Sequence, residues 1–287
     1  MALLRTLALR TRLPPRLRRA WGELALFWTL GLAAWLAVAL LAARAEQRLH
    51  EGAAITGYAL FAMMLALVLF NVKKRLVALP FGTARAWMTA HLVVGTISVP
   101  LYLQHTGRFW PSGFYERVIA LCFYTVMLSG AAGYLLQRWL PRRLAQLEVE
   151  VIYERIPGEI FALRERVEGL IVKGVQQAGA DTLGRYYLES LQWFFRRPRF
   201  LLGHLFGSGR AARWIRGHVG ALRRYLNETE RSVLDEFEKL ALRKNLLDAH
   251  YALQSVLKLW LFVHVPAAVL LVALVLWHLL VVNIYFL

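Results

Sequence analysis

Cysteine and acidic residues are scarce in this sequence. Its single cysteine, Cys122, excludes an internal disulfide, a CxxC zinc site, a cysteine-ligated iron–sulfur cluster and the CxxCH haem-attachment motif. Eighteen acidic residues face 35 basic ones, which gives a formal charge of +17. In a soluble chain this excess would indicate nucleic acid. Here the basic residues flank apolar runs, so we expect contact with anionic lipid head groups and no nucleic-acid partner.

Common catalytic motifs are also missing. The sequence contains no GxGxxG, GxxxxGK[ST], HExxH or G-x-S-x-G motif. The three glycines of residues 203–209 have the wrong spacing for a nucleotide-binding loop. Whether the chain is an enzyme therefore stays open, and a catalytic domain is not predicted.

What the sequence does contain is long apolar runs. Hydrophobic residues make up 58% of the chain, more than the roughly 45–50% of soluble domains. Five runs are close to the length that a helix needs to cross a bilayer. They cover residues 23–43, 55–72, 86–103, 118–137 and 259–282. We therefore predict an all-α fold: an integral membrane helical bundle of about five transmembrane helices with a helical cytoplasmic insert.

Basic residues give these runs a direction. Six arginines precede Glu23, and further Lys and Arg residues follow the second and fourth runs. The positive-inside rule then places the N-terminus and residues 139–256 inside and the C-terminus outside, in the inner (cytoplasmic) membrane. The predicted segments are a basic interfacial arm (1–22), transmembrane helices 1–4 (23–138), a cytoplasmic helical segment (139–256), and transmembrane helix 5 with an outer tail (257–287).

The first run has a competing interpretation. Ala43-Arg44-Ala45 has the small-x-small pattern of a signal-peptide cleavage site. The apolar run before it is longer than that of an ordinary signal peptide, so a retained membrane anchor is expected.

Histidine spacing is the most informative pattern in the sequence. His91 and His105 lie near the two ends of the third run, and His264 and His278 lie towards the two ends of the fifth. Each pair is 14 positions apart. On an α-helix this spacing brings both side chains to within about 40° of one face, about 21 Å apart along the axis. Two sites stacked across a membrane about 30 Å thick would have this separation.

Topology predicts how these histidines pair. The third and fifth runs both cross from inside to outside, so His91 meets His264 in the inner leaflet and His105 meets His278 in the outer leaflet. Two facing imidazoles are the axial ligands that a six-coordinate haem iron needs. A lone histidine in a membrane helix can instead be a packing residue, but two matched pairs favour ligands.

The neighbouring residues suit a porphyrin. Gly95, one turn from His91, would let a flat macrocycle approach the backbone, and Gly130 and Gly133 give the fourth run a similarly thin face. Basic side chains near the ends of the third and fifth runs are candidate partners for haem propionates. They are Arg85, Arg108 and Lys258.

At His91, His105, His264 and His278 the chain resembles the dihaem core of the ferric reductase and NADPH oxidase family, and more loosely other bis-histidine transmembrane cytochromes b. The resemblance covers the spans only, about half the chain. It implies two haem b groups and a transmembrane electron wire. In the NADPH oxidase branch a flavin and nicotinamide domain follows the last span, whereas this sequence stops at Leu287, so intrinsic NADPH oxidation is not expected.

The segment 139–256 reads as charged and helical. Residues 148–168 have helical apolar spacing that Pro157 is expected to interrupt. A second helix is predicted to start near Asn227, with Asn227-Glu-Thr-Glu230 as its start signal, and to run into the fifth span. Trp193–Phe200 and the leucines after it fit either the membrane face or a small helical core. His204 and His218 are read as surface residues, and His250 as a helix-surface or quinone-adjacent residue.

The sequence thus predicts the electron-transfer subunit of an oxidoreductase complex. It would pass electrons across the membrane between other redox subunits, and whether a quinone binds stays open. The alternative is a cofactor-free membrane anchor or transporter subunit that recruits partners through its cytoplasmic segment. Donor, acceptor, direction of flow and subunit composition are not encoded in these patterns.

Overall fold

The computed structural model of the chain describes residues 15–48, 52–75 and 82–285. Most of the predicted interfacial arm, residues 1–14, therefore lies outside the described residues. In the described parts the chain forms helices and no β-strand. The α-helices are α1 Pro15–Gln47, α2 Gly52–Arg75, α3 Ala84–Thr106, α4 Phe114–Leu144, α5 Ile156–Ala178, α6 Thr182–Tyr186, α7 Gln192–Phe195, α8 Leu201–Leu205, α9 Arg210–Leu222 and α10 Glu228–Tyr285.

Within the described residues, five helices are long and apolar enough to cross a membrane. They are α1 from Trp21, α2 up to Leu69, α3, α4 and α10. Many of their large apolar side chains are exposed, which is the arrangement that lipid contact requires. The predicted all-α membrane fold with five spanning helices is confirmed.

The ends of α3 have clear local causes. Thr83 caps its start, because its hydroxyl accepts a hydrogen bond from the backbone N–H of Ala86 at 3.1 Å. Gly107 ends it in the left-handed conformation, with φ of 63°, and returns its N–H to the carbonyl of Leu103. These two caps fix the bounds of the helix that carries His91 and His105.

The chain divides into two compact units. Unit 1 is Met1–Tyr134 with Val263–Leu287, and unit 2 is Leu135–Phe262. In unit 1, helices α1, α2 and α3 pack against one another. A buried apolar cluster joins α2, α3, α4 and the end of α10, and Cys122 is one of its packing residues. Its buried members are Leu60, Leu101, Tyr102, Ala120, Cys122, Phe123, Val126 and Leu271.

Unit 2 has an apolar core of its own. Its main cluster includes Leu191, Phe194, Phe195 and Phe237, and Trp193 and Phe200 pack against it. Of the two interpretations of this aromatic run, the structure supports the helical core for Trp193–Phe200.

The structure confirms one sequence-based prediction for unit 2, the helix start near Asn227, and contradicts another, the interruption at Pro157. The start signal is confirmed, since Asn227 Oδ1 accepts from the Glu230 N–H at 2.8 Å and a Glu230 carboxylate oxygen accepts from the Asn227 N–H at 3.2 Å. The helix that follows is continuous to Tyr285.

The expected interruption at Pro157 is wrong. Pro157 lies in the first turn of α5, where its missing N–H has no helical partner to lose.

Candidate functional site

The carboxyl-terminal parts of α3 and α10 bring two of the predicted histidines together. The ring centres of His105 and His278 are 6.5 Å apart, and their planes are inclined by 86°. Both residues belong to unit 1. We call this pair the His105 site.

A cavity of about 420 Å³ adjoins this pair. Its volume lies within the range of about 300–1,000 Å³ that is usual for small-molecule and cofactor pockets. Apolar side chains from α2, α4 and α10 form most of the wall, and the ionisable and polar groups are few. Those are Tyr58, Tyr102, His105, Thr106, Glu116 and His278.

Helix α2 holds the ring of His105 in place. His105 Nδ1 lies 3.0 Å from the carbonyl oxygen of Ala53 and 3.1 Å from Thr56 Oγ1. Next to Thr56, Gly57 makes room for the imidazole, since a Cβ there would lie 2.9 Å from His105 Cε1. Sequence reasoning missed these α2 residues. The dipeptide Thr56-Gly57 is the only local signal, and such dipeptides are common.

The ring of His278 rests against Tyr115 at the start of α4. Their ring centres are 6.3 Å apart and their planes are inclined by 26°, so the rings are stacked. The Tyr115 hydroxyl donates to the carbonyl of Leu274, one turn before His278 in α10. Tyr115 therefore contacts both the imidazole and the helix that carries it.

The second pair of predicted ligands, His91 and His264, is called the His264 site. Ser129 Oγ lies 2.9 Å from His264 Nδ1, and the adjacent Gly130 faces the same ring. A Cβ at Gly130 would lie 3.5 Å from His264 Cε1, which is ordinary van der Waals contact. His91 is half-buried on α3, four residues before Gly95, where an added Cβ would meet open space.

The three predicted propionate partners lie in different surroundings. Arg85 is exposed in the first turn of α3, and Arg108 is exposed just after the helix, where its carbonyl accepts from Thr106 Oγ1 at 2.8 Å. Lys258 belongs to unit 2, where it forms an ion pair with Glu154 and lies 4.2 Å from the ring centre of Tyr153. Propionate binding by these side chains stays a prediction.

Comparison with known proteins does not identify the site. No family model, curated protein or solved structure matches the chain. In the part of the chain that the structure describes, no three His, Cys, Asp or Glu side chains converge on one point. The functional argument therefore depends on the geometry, which brings one pair of imidazoles together, His105 and His278.

Within the described residues, three further histidines lie in unit 2, and one of them, His250, differs from expectation. His250 is 3% exposed, and its Nδ1 lies 3.3 Å from Nε2 of Gln254, one turn later in the same helix. Burial, together with the nearby positive charge of Lys244, lowers the pKa of His204 to about 4, so this side chain is neutral near pH 7. The surface interpretation is wrong for His250, whereas His204 is half-buried. His218 is half-buried, and its Nδ1 lies 2.6 Å from the Tyr186 hydroxyl.

Unit 2 also contains a fully buried ion pair. Lys244 Nζ donates to Asp248 at 2.7 Å and to the carbonyl of Arg197 at 2.9 Å, and both charged side chains are 0% exposed. Asp248 also accepts from the backbone N–H of Arg199 at 3.2 Å. Removing two charges from water is costly unless each is well paired. The pair fixes the segment after α7 against α10 within unit 2.

Proposed function

We propose that this chain is a dihaem b-type cytochrome subunit that transfers electrons across a membrane. His105 and His278 would be the axial ligands of one haem, and His91 and His264 those of the other. The observation that carries the proposal is the approach of His105 and His278 to 6.5 Å beside a cavity of about 420 Å³.

The distance between the two rings suits a metal held between them. With metal–nitrogen bonds of about 2 Å and about 1 Å from nitrogen to ring centre, two axial imidazoles have their centres about 6 Å apart. The observed 6.5 Å is close to this value.

The hydrogen bonds of the rings also fit. Metal-binding histidines almost always engage their second ring nitrogen with a carbonyl, carboxylate or water, which orients the ring. His105 Nδ1 has the Ala53 carbonyl and Thr56, and His264 Nδ1 has Ser129. This arrangement leaves Nε2 as the atom that would bind iron at both histidines.

Haem, when bound, supplies one-electron oxidation and reduction, and the protein supplies orientation and electrostatics. The four imidazoles would hold the two irons at different depths, and the apolar walls would exclude water. Arg85, Arg108 and Lys258 stay the candidate partners of the propionates. The transferred electron would enter and leave through other redox subunits or a quinol.

The charge bias of the sequence supports an orientation for this wire. We propose that the His264 site lies towards the cytoplasm and the His105 site towards the outside of the inner membrane. Residues 139–256 would then be cytoplasmic. In unit 2 they form helices with their own apolar core, which suits docking of a partner subunit.

Single ligand replacements test the proposal. We expect His264→Ala to remove or convert one haem and spare the other, and His105→Ala to do the reverse, because each histidine serves one site. Redox titration of the α-band in the purified, assembled protein separates the two haems. His218→Ala, in unit 2, is the control and should keep both. Two intact low-spin haems in His264→Ala would refute the ligand assignment.

A further inference from the structure

Two dipeptides of the same kind touch the two best-defined histidines. Thr56-Gly57 on α2 contacts His105, and Ser129-Gly130 on α4 contacts His264. In each case the hydroxyl residue meets ring nitrogen Nδ1, and the glycine faces the neighbouring ring carbon Cε1. The two dipeptides lie on different helices and contact histidines of different sites, so the same arrangement occurs twice.

The hydroxyl groups are also bonded alike within their own helices. Thr56 Oγ1 donates to the carbonyl of Ala53, three residues earlier, at 3.0 Å. Ser129 Oγ donates to the carbonyl of Val126, also three residues earlier, at 3.1 Å. Back-bonding of this kind is common for Ser and Thr in membrane helices and by itself needs no ligand. With the proton in this bond, each hydroxyl oxygen can accept from a histidine.

The position of the ring proton follows from these bonds. A carbonyl oxygen only accepts, so the 3.0 Å contact between Ala53 and His105 Nδ1 requires the proton on Nδ1. At His264 the same tautomer follows when the Ser129 hydroxyl gives its proton to the Val126 carbonyl, because Ser129 Oγ then accepts from Nδ1 at 2.9 Å. In both rings this tautomer leaves the lone pair on Nε2.

Gly57 supplies the space for this orientation at His105. A Cβ at position 57 would lie 2.9 Å from His105 Cε1, closer than side chains tolerate, so any larger residue would displace the ring. At position 130 the corresponding distance is 3.5 Å. Thr56 thus adds a second acceptor to the tautomer that the Ala53 carbonyl sets at His105, and Gly57 fixes the rotation of that ring. At His264 the Ser129 hydroxyl is the acceptor, and the ring fits beside Gly130 without strain.

We propose that Thr56-Gly57 and Ser129-Gly130 are positioning elements that present Nε2 of His105 and His264 to iron. This inference rests on the proposed dihaem function. Neither dipeptide touches the metal. Each acts through one histidine, so its effect is confined to the haem of that site.

Matched substitutions of the hydroxyl residues test the inference. Thr56→Val and Ser129→Ala remove an acceptor from Nδ1–H, which makes the imidazole a weaker ligand. We expect the midpoint potential of the affected haem to rise and its affinity to fall about 10- to 100-fold, the usual cost of losing such a partner. The other haem should keep its potential. Thr56→Ser retains the hydroxyl and should restore wild-type values.

Two other results would overturn the inference. Equal shifts of both haems in Thr56→Val, or no shift in either variant, would show that the dipeptides do not position individual ligands. Haem content of the wild-type protein separately tests the dihaem function. If the wild type holds two haems and the variants behave like it, only the positioning role fails.

The tautomer offers a readout that does not depend on haem. Nitrogen-15 NMR of histidine side chains in haem-free protein should show His105 protonated on Nδ1, with the signal assigned by its loss in His105→Gln. In Thr56→Val the Ala53 carbonyl remains, so the tautomer should persist with a shifted Nδ1 signal. Protonation on Nε2 in the wild type would contradict the assignment.

Discussion

At both histidine sites a hydroxyl residue and a glycine contact the imidazole ring, but the two sites differ in how much space the glycine leaves for a side chain. At the His105 site, the ring is held by a carbonyl and a hydroxyl, and Gly57 leaves no room for a Cβ. At the His264 site, Ser129 occupies the equivalent position, but Gly130 leaves a distance of 3.5 Å. Close packing transmits small volume changes. The His105 site should therefore respond more strongly to changes in the helix that supports its ligand.

The largest expected effect comes from changing the ligand chemistry at one site only. His278→Met replaces an imidazole by a flexible thioether, and methionine ligation raises the potential of haem iron. We expect the midpoint potential of one haem to rise markedly while the other stays at its wild-type value. A redox titration measures both. Unchanged potentials at both haems would show that His278 is not a ligand.

A pair of glycine substitutions compares the two sites directly. Gly57→Ala forces the His105 ring to shift, and overpacking of this kind costs about 1–3 kcal/mol. Gly130→Ala meets only ordinary contact, and alanine favours a helix by up to about 1 kcal/mol over glycine.

Thermal melting followed at the haem absorbance measures this difference. We expect a lower midpoint for Gly57→Ala and a wild-type or slightly higher midpoint for Gly130→Ala. An equal loss of stability in both variants would show that the two sites do not differ in the space they leave for a Cβ at the glycine.

A smaller effect is expected at the ring that supports His278. Tyr115→Phe keeps the stacked ring but removes the hydrogen bond to Leu274, a loss of about 1 kcal/mol. Tyr124→Phe is a matched control, because its hydroxyl also donates to a carbonyl, that of Phe109, at 2.6 Å. Both variants should lose similar stability. Only Tyr115→Phe should change the low-spin electron paramagnetic resonance signal of one haem, and a change in both variants would contradict a specific role for Tyr115.

Much of the fold could be predicted from the sequence because its signals are local. Apolar runs of spanning length locate the five membrane helices, and the Asn227–Glu230 start signal locates the beginning of α10. The 14-residue spacing singled out four histidines, and the structure brings two of them, His105 and His278, together. The ligand roles of all four histidines stay predictions.

What the sequence could not supply depends on contacts between distant residues. His105 is contacted by three residues about 50 positions earlier in the sequence, Ala53, Thr56 and Gly57. No pattern in their own segment of the sequence predicts these contacts. The burial of His250 and His204 likewise depends on how the helices of unit 2 pack. The prediction of a helix interruption at Pro157 failed for a different reason. Proline occurs both where a helix is interrupted and in the first turn of a helix, and the sequence does not distinguish the two.

Haem content of the purified, fully assembled protein tests the central claim most directly. A pyridine haemochrome assay combined with a reduced-minus-oxidised spectrum gives both the amount and the type of haem. We expect two b-type haems per chain with a low-spin spectrum. A colourless, iron-free protein that is otherwise correctly assembled would contradict it.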